Sequence, residues 1–415
     1  MLSRPHNRRG SLYLAVLGTS VVVSLLALAG MHAARVHLAS TVTDAQQPQA
    51  RLLAASAIEL AITQLQADAN WLTTYAVDTD YPATPVSAGG GKFVWRLKNA
   101  GGTNRTLQGA GTVGDATCTL EVDLAQRPDL SCALLAGGNL TIDSDCEITA
   151  EDAPVAVNGS VNNDGVVTAN IGAQAIAGAG SVVGTQTAPA ALRSLPTPSM
   201  VFDYYEKMGT VVTPGVVGTA LITTTVLSPK SSWGDKNDDG IYVIDTQGKD
   251  LTIFGARIVG TLIVTNLAPG KKVIVNDVVN WEPAYPNYPA LLVDGDLEIS
   301  LRDGDVTEWL LSPSYNPSGT PFQGSEDSDK SDTFISSLAG LVYCSGNLTI
   351  KGNGSSVRTP DLRGIFLAGG NCAIQAKTMP VIKYDDTAAI TPPPGFTQDA
   401  NVVIVPGSWR QVTPD

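Results

Sequence analysis

The sequence predicts a mainly β protein carried on an N-terminal helix. Three observations predict it. A charge-free apolar run lies near the N-terminus, Gly is abundant (41) while aromatic content is low (6%), and a Gly-x-Asn/Asp-apolar-x-Ile frame recurs five times. In chain order they give a transmembrane and stalk helix, a small antiparallel sheet, and a parallel β-helix (solenoid) body. The expected divisions are a basic leader and transmembrane helix over 1–35, a stalk helix over 36–77 and a small β-sheet module over 78–127. A solenoid over 128–385 follows, with a loop excursion near 302–336, and then a tail with a closing strand over 386–415. A chain of 415 residues has room for two or three compact units beyond an anchor.

The anchor comes first. Between Gly10 and Ala34 there is no Asp, Glu, Lys or Arg, and residues 12–31 form 20 positions dominated by Leu, Val and Ala. At about 1.5 Å per residue such a helix reaches about 30 Å, the thickness of a bilayer's hydrocarbon core. A secretory signal peptide is the competing reading, with Ala27-Leu28-Ala29 as its cleavage site. The apolar run exceeds the usual length of a signal-peptide core, and helix-compatible sequence continues past it. Arg4, Arg8 and Arg9 precede the run and only Arg35 lies close behind it. The short N-terminus is therefore expected in the cytoplasm and the body outside.

Next, residues 49–75 read as a second helical stretch, with Leu53, Ala57, Leu60 and Ile58, Ile62, Leu65 at helical spacing. Pro48 is expected to break or kink the join with the anchor. Glu59 on this helix fits either an ion pair with a neighbouring subunit or a solvated position. After a turn-rich join at 78–91, residues 92–97 (KFVWRL), 105–111 and 118–124 (CTLEVDL) read as strands.

The body is read from its repeat. The five frames are LLAGGNLTI (134–142), TQGKDLTI (246–253), LLVDGDLEI (291–299), VYCSGNLTI (342–350) and FLAGGNCAI (366–374). Ile350 and Ile374 are 24 residues apart, Ile253 and Ile299 are 46 apart, and KKVIV (271–275) falls near the missing midpoint. A period of 22–24 residues with Gly and Asn at the corners fits the coils of a parallel β-helix, whose apolar side chains are buried only when coils stack. A β-sandwich or a looser sheet stack would show a similar pattern. The stretch 182–198, with Pro189, Pro196 and Pro198, reads as a linker dividing early coils from the rest. Residues 312–332 are rich in Ser, Pro, Gly and Asp and read as a surface excursion.

A basic leader ending in Gly10, followed by Ser11 and a hydrophobic helix that runs into a stalk, resembles a type IV prepilin N-terminus. The resemblance implies cutting between Gly10 and Ser11 by a prepilin peptidase. Ser11 stands where major pilins have Phe, and Ala15 where they have Glu, so the major-pilin pattern is not met. Minor, X-type pilus assembly proteins are the better likeness: AASAIELAITQL (54–65) resembles the stretch after their anchor, and GAGTVGDATCTLEVDL (109–124) their small sheet. The segments GIYVID (240–245), RIVGTLIV (257–264), 280–299 and VPGSWRQV (405–412) extend the likeness to members of that family with a β-helical region. The resemblance implies a structural or assembly role, with no catalytic residue to transfer.

Charge and chemistry narrow the field. Residues 1–35 carry +4, leaving −17 on the rest of a chain whose net charge is −13. So acidic a body has no footprint for nucleic acid. Cys118, Cys132, Cys146, Cys344 and Cys372 include no C-x-x-C pair, and no His lies beyond His37, so a Cys/His zinc site has nothing to build on. Disulfides in an oxidising compartment and buried single thiols both fit. Asp235, Asn237 and Asp239, ahead of Gly240, match the opening of a calcium loop, but Thr246 stands where the bidentate Glu belongs. A polar turn entering IYVID fits equally. Asp294 with Asp296, or Asp303 with Asp305, could pair carboxylates as in a polysaccharide-cleaving β-helix, or serve turns beside Gly295 and Gly304. Trp281, Tyr285 and Tyr288, interleaved with Pro283, Pro286 and Pro289, form either a contact patch or a loop packed on the solenoid.

The expected function is thus a non-enzymatic, single-pass component of a type IV pilus or pseudopilus-like system, in the inner membrane with its body in the periplasm or at the cell surface. Its expected partners are other pilin-like subunits and prepilin peptidase. It needs no cofactor, with calcium the exception if the 235–239 loop binds it. The alternative is an anchored β-helical protein that binds or degrades polysaccharide.

Overall fold

The computed structural model describes residues 9–68, 71–101, 104–212, 216–217, 219–231, 235–311, 313–352, 354–396 and 402–413. Arg4 and Arg8 of the basic leader lie outside them. One helix, α1 (Arg9–Ala67), opens the chain, and Trp71–Thr74 forms a separate short turn. A break or kink is expected at Pro48, and helix α1 runs on through it without a break. A proline removes one N–H from the helical ladder. The turn that follows is held from outside, because Ala50 and Ala54 are fully buried against a sheet.

That sheet is antiparallel, in the order β1 (Asp80–Ala88), β2 (Gly91–Gly101), β3 (Asn104–Val113), β4 (Ala116–Gln126). These strands contain the 92–97, 105–111 and 118–124 segments expected from alternation. Two strands from the far end of the chain, Val402–Ile404 and Arg410–Val412, pair antiparallel with β4. Both ends of the chain therefore build one module, and everything between β4 and Val402 is inserted into it.

Helix and sheet meet at unusually short range. Ala50, Ala54, Ala57 and Ala61 line the buried face of α1. Beneath them lie Gly109 and Gly111 of β3. A side-chain carbon at Gly111 would collide with the Ala50 carbonyl oxygen and fall 2.6 Å from Ala54 N, and one at Gly109 would strike the Ala54 carbonyl oxygen. Only glycine lets the helix backbone come this close. Trp95, Leu97, Leu107 and Val122 complete the core, and Tyr81 stacks on Trp95 with ring centroids 4.9 Å apart.

The inserted body is a large parallel sheet whose strands stack in three columns. In one, Ile241–Asp245, Thr261–Thr265 and Pro289–Val293 follow one another. In the second, Leu251–Val259, Lys272–Asp277, Asp296–Leu301 and Leu348–Lys351 do so. The third begins in the latter half of Leu251–Val259 and continues through Val279–Glu282. Leu134, Leu140 and Ile148, one from each column in the same coil, share a single apolar cluster with most of the inward side chains of the body. This arrangement, in a chain that is mainly β, is consistent with the solenoid expected from the repeat.

The spatial order of the coils is not their order in the sequence. The last coil, with Asp361–Ala368, Cys372–Gln375 and Val381–Lys383, stacks on the first, pairing Phe366 with Leu134, Cys372 with Leu140 and Val381 with Thr149. From there the early coils continue outward to Ser181–Val183 and Gln186–Thr187. The chain then returns to the opposite end and starts again at Thr210–Val211. Residues 182–187, expected within a linker, are thus mostly strand, and the crossing starts beyond them. On its way back it runs over the outer face of the first column. Leu195, and Val201, Phe202 and Tyr205 of helix Pro198–Met208, pack on Ile263, Leu292, Tyr343 and Leu135. Strands in that column are consequently buried on both faces.

The repeated frame has a physical basis at the coil corner. Asp250 Oδ1 accepts from Lys272 N (2.9 Å), Asp296 Oδ1 from Asn347 N (2.8 Å) and Asn347 Oδ1 from Asn371 N (2.9 Å). Asn371 Oδ1 then accepts from Asn139 N (2.8 Å), and Asn139 Oδ1 from Ser160 N (2.9 Å). The Asn/Asp of all five frames thus hands a side-chain oxygen to the backbone of the next coil, and the ladder crosses the join between last and first coils unbroken. KKVIV occupies the coil between the second and third frames, with Val273 beside Leu251 and Leu297.

Candidate functional site

Helix α1 divides into two halves of opposite character. From Ala50 onward its small residues are buried in the sheet module. From Tyr13 to Leu38 it stands clear of the protein, with Tyr13, Leu14, Leu17, Leu25 and Leu28 all exposed. It is the one helix among the described residues long and apolar enough to cross a membrane. Three of its hydroxyls bond within the helix: Thr19 Oγ1 donates to Ala15 O (3.0 Å), Ser20 Oγ to Leu17 O (2.9 Å) and Ser24 Oγ to Ser20 O (2.8 Å). A run free of Asp, Glu, Lys and Arg from Gly10 to Ala34, with these three hydroxyls bonded to the helix's own carbonyls, suits a hydrocarbon environment. Gly10 and Ser11, the expected processing point, lie in its first turn. Glu59 is exposed on the sheet-packed half.

The other candidate groups are held by the fold. Asn237 Oδ1 accepts from Asp239 N (3.0 Å) and Ile241 N (3.2 Å), while Nδ2 donates to Met208 O (2.9 Å). Its amide thereby ties the 235–240 turn to the end of helix Pro198–Met208. Asp239 accepts from the Tyr285 hydroxyl at 3.4 Å. Asp294 accepts from Ser345 Oγ (2.9 Å), Asp296 belongs to the corner ladder, and Asp303 accepts from Thr359 N (2.7 Å). Each of these carboxylates bridges one coil to the next. Trp281 is a core residue, its Nε1 donating to Gly260 O (3.2 Å), whereas Tyr285 is exposed and Tyr288 packs edge-on against Tyr205.

All five cysteines are buried and free. Burial pushes each thiol up, Cys132 and Cys372 to about 12, so they are protonated and inert at neutral pH. Asp143, Asp145 and Cys146 bring one ligand atom each within 4.8 Å of one another.

Sequence reasoning missed the most elaborate polar site. Arg257, fully buried, donates through Nη1 to Tyr315 O (2.7 Å) and Thr320 O (2.9 Å) and through Nη2 to Pro321 O (2.8 Å). Its guanidinium lies 5.3 Å from the Phe322 ring centre and 5.6 Å from that of Phe334, and Glu282 pairs with it at 3.4 Å. The excursion is therefore a docked subunit of structure. It carries an antiparallel pair, Asp305–Thr307 with Thr333–Ile335, and buries Val306, Tyr315 and Phe334. Buried Glu308 accepts from Tyr315 N (2.5 Å) and Asp332 N (3.0 Å). One Arg in RIVGTLIV was the only signal, and nothing nearby in sequence marks its partners.

No family model matches the chain, and no curated protein matches it. Among solved structures, the crystal structure of the competence-associated pilin ComZ from Thermus thermophilus is similar over 88% of this chain and 97% of that one, at 10% identity and a TM-score of 0.29. A superposition that loose carries no argument about fold or role.

Proposed function

We propose that this chain is a non-enzymatic, membrane-anchored structural component of a type IV pilus or pseudopilus-like system, displaying a closed parallel β-helix outside the cytoplasm. The observation that carries the reading is α1. Its first half is bare and apolar while its second half is clamped into an antiparallel sheet, so one rigid rod links a membrane span to a folded head. The arginines before the span favour a cytoplasmic N-terminus and an external body. The bare helix is suited to pack in the inner membrane with the helices of other pilin-like subunits, after a prepilin peptidase has cut between Gly10 and Ser11. The polar groups of the body support a scaffold role, since the carboxylates in question bridge coils. No cofactor is required, and no nucleic-acid partner suits a body of −17.

Intact mass of the membrane-extracted protein tests the reading. A mature chain starting at Ser11 is the expected result. A chain that keeps Met1 or Leu2, or one cut near Ala29, would sink pilus-type assembly.

A further inference from the structure

The solenoid has two ends, and they are finished differently. At one, the first two residues of the long strand Thr219–Leu227 pair antiparallel with Val216–Val217. At the other, Ala175–Ala177, Ser181–Val183 and Gln186–Thr187 form the last coil, and each of these strands has one pairing, to the coil before. Ser181 N–H donates back to Gly165 O (2.9 Å), and Gln174 N–H to Gly159 O (2.9 Å). Ile171 N–H and Ala173 N–H donate to Thr185 O and Thr187 O. Successive residues of a strand point their backbone groups to opposite sides, so those of Ala175, Val182 and Gln186 face outward.

Exposed strand edges are normally blunted by charge, proline, a bulge or a covering element. Terminal solenoid repeats likewise need a polar cap. This coil has none of these. Residues 165–192 contain no Asp, Glu, Lys, Arg or His, and no proline occurs from 175 to 187. Most of its residues are exposed, Val183 at 62%. Ile176 and Val182, which continue the inner stacks, are only partly covered, so the apolar core is open at this end. The coil is also tight and regular: Val166 pairs with Ser181 and Ile171 with Gln186, a step of 15 residues in each column.

We propose that this open coil joins two copies of the chain end to end about a two-fold axis, their strand edges pairing antiparallel. A second copy fits for three reasons. It presents the same three short edges at the same spacing, whereas a lone strand from another protein would cover one column. The edge is uncharged, so it meets itself without repulsion, while a body of −17 repels a second body at almost any other approach. This end matches itself better than the opposite end, where the strand Thr219–Leu227 is nine residues long against strands of two and three residues here.

The test is the mass of the detergent-solubilised full chain by sedimentation over a range of concentrations. Val182→Lys puts a charge into the open core, where a free end leaves it access to water and a joined end would bury it. Gln186→Pro removes an outward N–H and no paired one. Thr141→Lys, exposed on the flank of the solenoid, is the control. A dimer is expected for the parent and the control, with the dissociation constant raised at least about tenfold in both edge variants, about 1.4 kcal/mol. Circular dichroism identifies a variant that fails to fold, and the other then decides. A monomeric parent, a dimer indifferent to both edge variants, or an open-ended polymer would each overturn the proposal.

Discussion

The helix–sheet module and the solenoid solve the same burial problem by different means. In the module, one helix and one sheet share a single core, and their approach depends on two glycines and a row of alanines. Its closure is also long-range, since residues 402–412 must reach β4. In the solenoid every coil repeats the same arrangement, and each corner oxygen serves the next coil. The module therefore concentrates its stability at a few positions where nothing can be added. The body spreads it over many equivalent ones, so that a single lost contact is felt locally.

Substitutions should separate the two. The largest effect is expected at Gly111→Val, which drives a side chain into the Ala50 carbonyl oxygen. It should destabilise the module by about 4 kcal/mol or more. Loss of amide-exchange protection in β2–β4, with protection of the solenoid retained, would check this. Uniform loss everywhere would show that the two regions fold as one unit.

Next comes Arg257→Ala, which strips the Tyr315, Thr320 and Pro321 carbonyls of their buried donor at an expected cost of about 3 kcal/mol. The effect should stay in the excursion. Limited proteolysis within residues 313–332 should become fast while the stacked coils resist.

Smaller again is the contribution of Glu298, which is buried and holds Lys272 at 2.5 Å and Lys351 at 2.8 Å. Burial pushes its carboxyl up, but bonds to the two lysines outweigh this and hold it below its ordinary 4.5. A lowered folded value stabilises the protein above 4.5, and that contribution is lost as pH falls through the folded value. Melting temperature should therefore fall on acidification below about pH 4.5, and less steeply in Glu298→Gln. The smallest effect is that of a chelator. With Asn237 committed to backbone partners, EDTA should leave the melting temperature unchanged, and a clear drop would restore the calcium loop at Asp235, Asn237 and Asp239.

Local signals were legible and long-range ones were not. The strands at 92–97, 105–111 and 118–124 announce themselves by alternation. The five frames do so because each must supply an Asn or Asp to a ladder, which is a demand on residue type at a fixed position. KKVIV was recognisable as a coil by spacing alone. The stacking order left no trace, because coils of one shape pair equally well with any neighbour of that shape. The expected break at Pro48 failed for the opposite reason: its local preference is strong, and the sheet that holds the helix together is built from residues further along the chain. The end coil was hidden by its shorter step of 15 residues, outside the 22–24 period that identified the others. As for the candidate site, the bare helix was plain from composition, whereas Arg257 looked like any strand residue.

The join between last and first coils has a consequence for timing. Residues 134–151 are made early in synthesis, yet the strands that pair with them, from Asp361 to Lys383, are made only after all the intervening coils. At translation rates of about 5–20 residues per second, that edge waits on the order of ten seconds or more for its partner. Until then it is an unpaired three-column edge on a growing chain. Guarding it from other chains until then is therefore as much a requirement on this architecture as the stability of the finished protein.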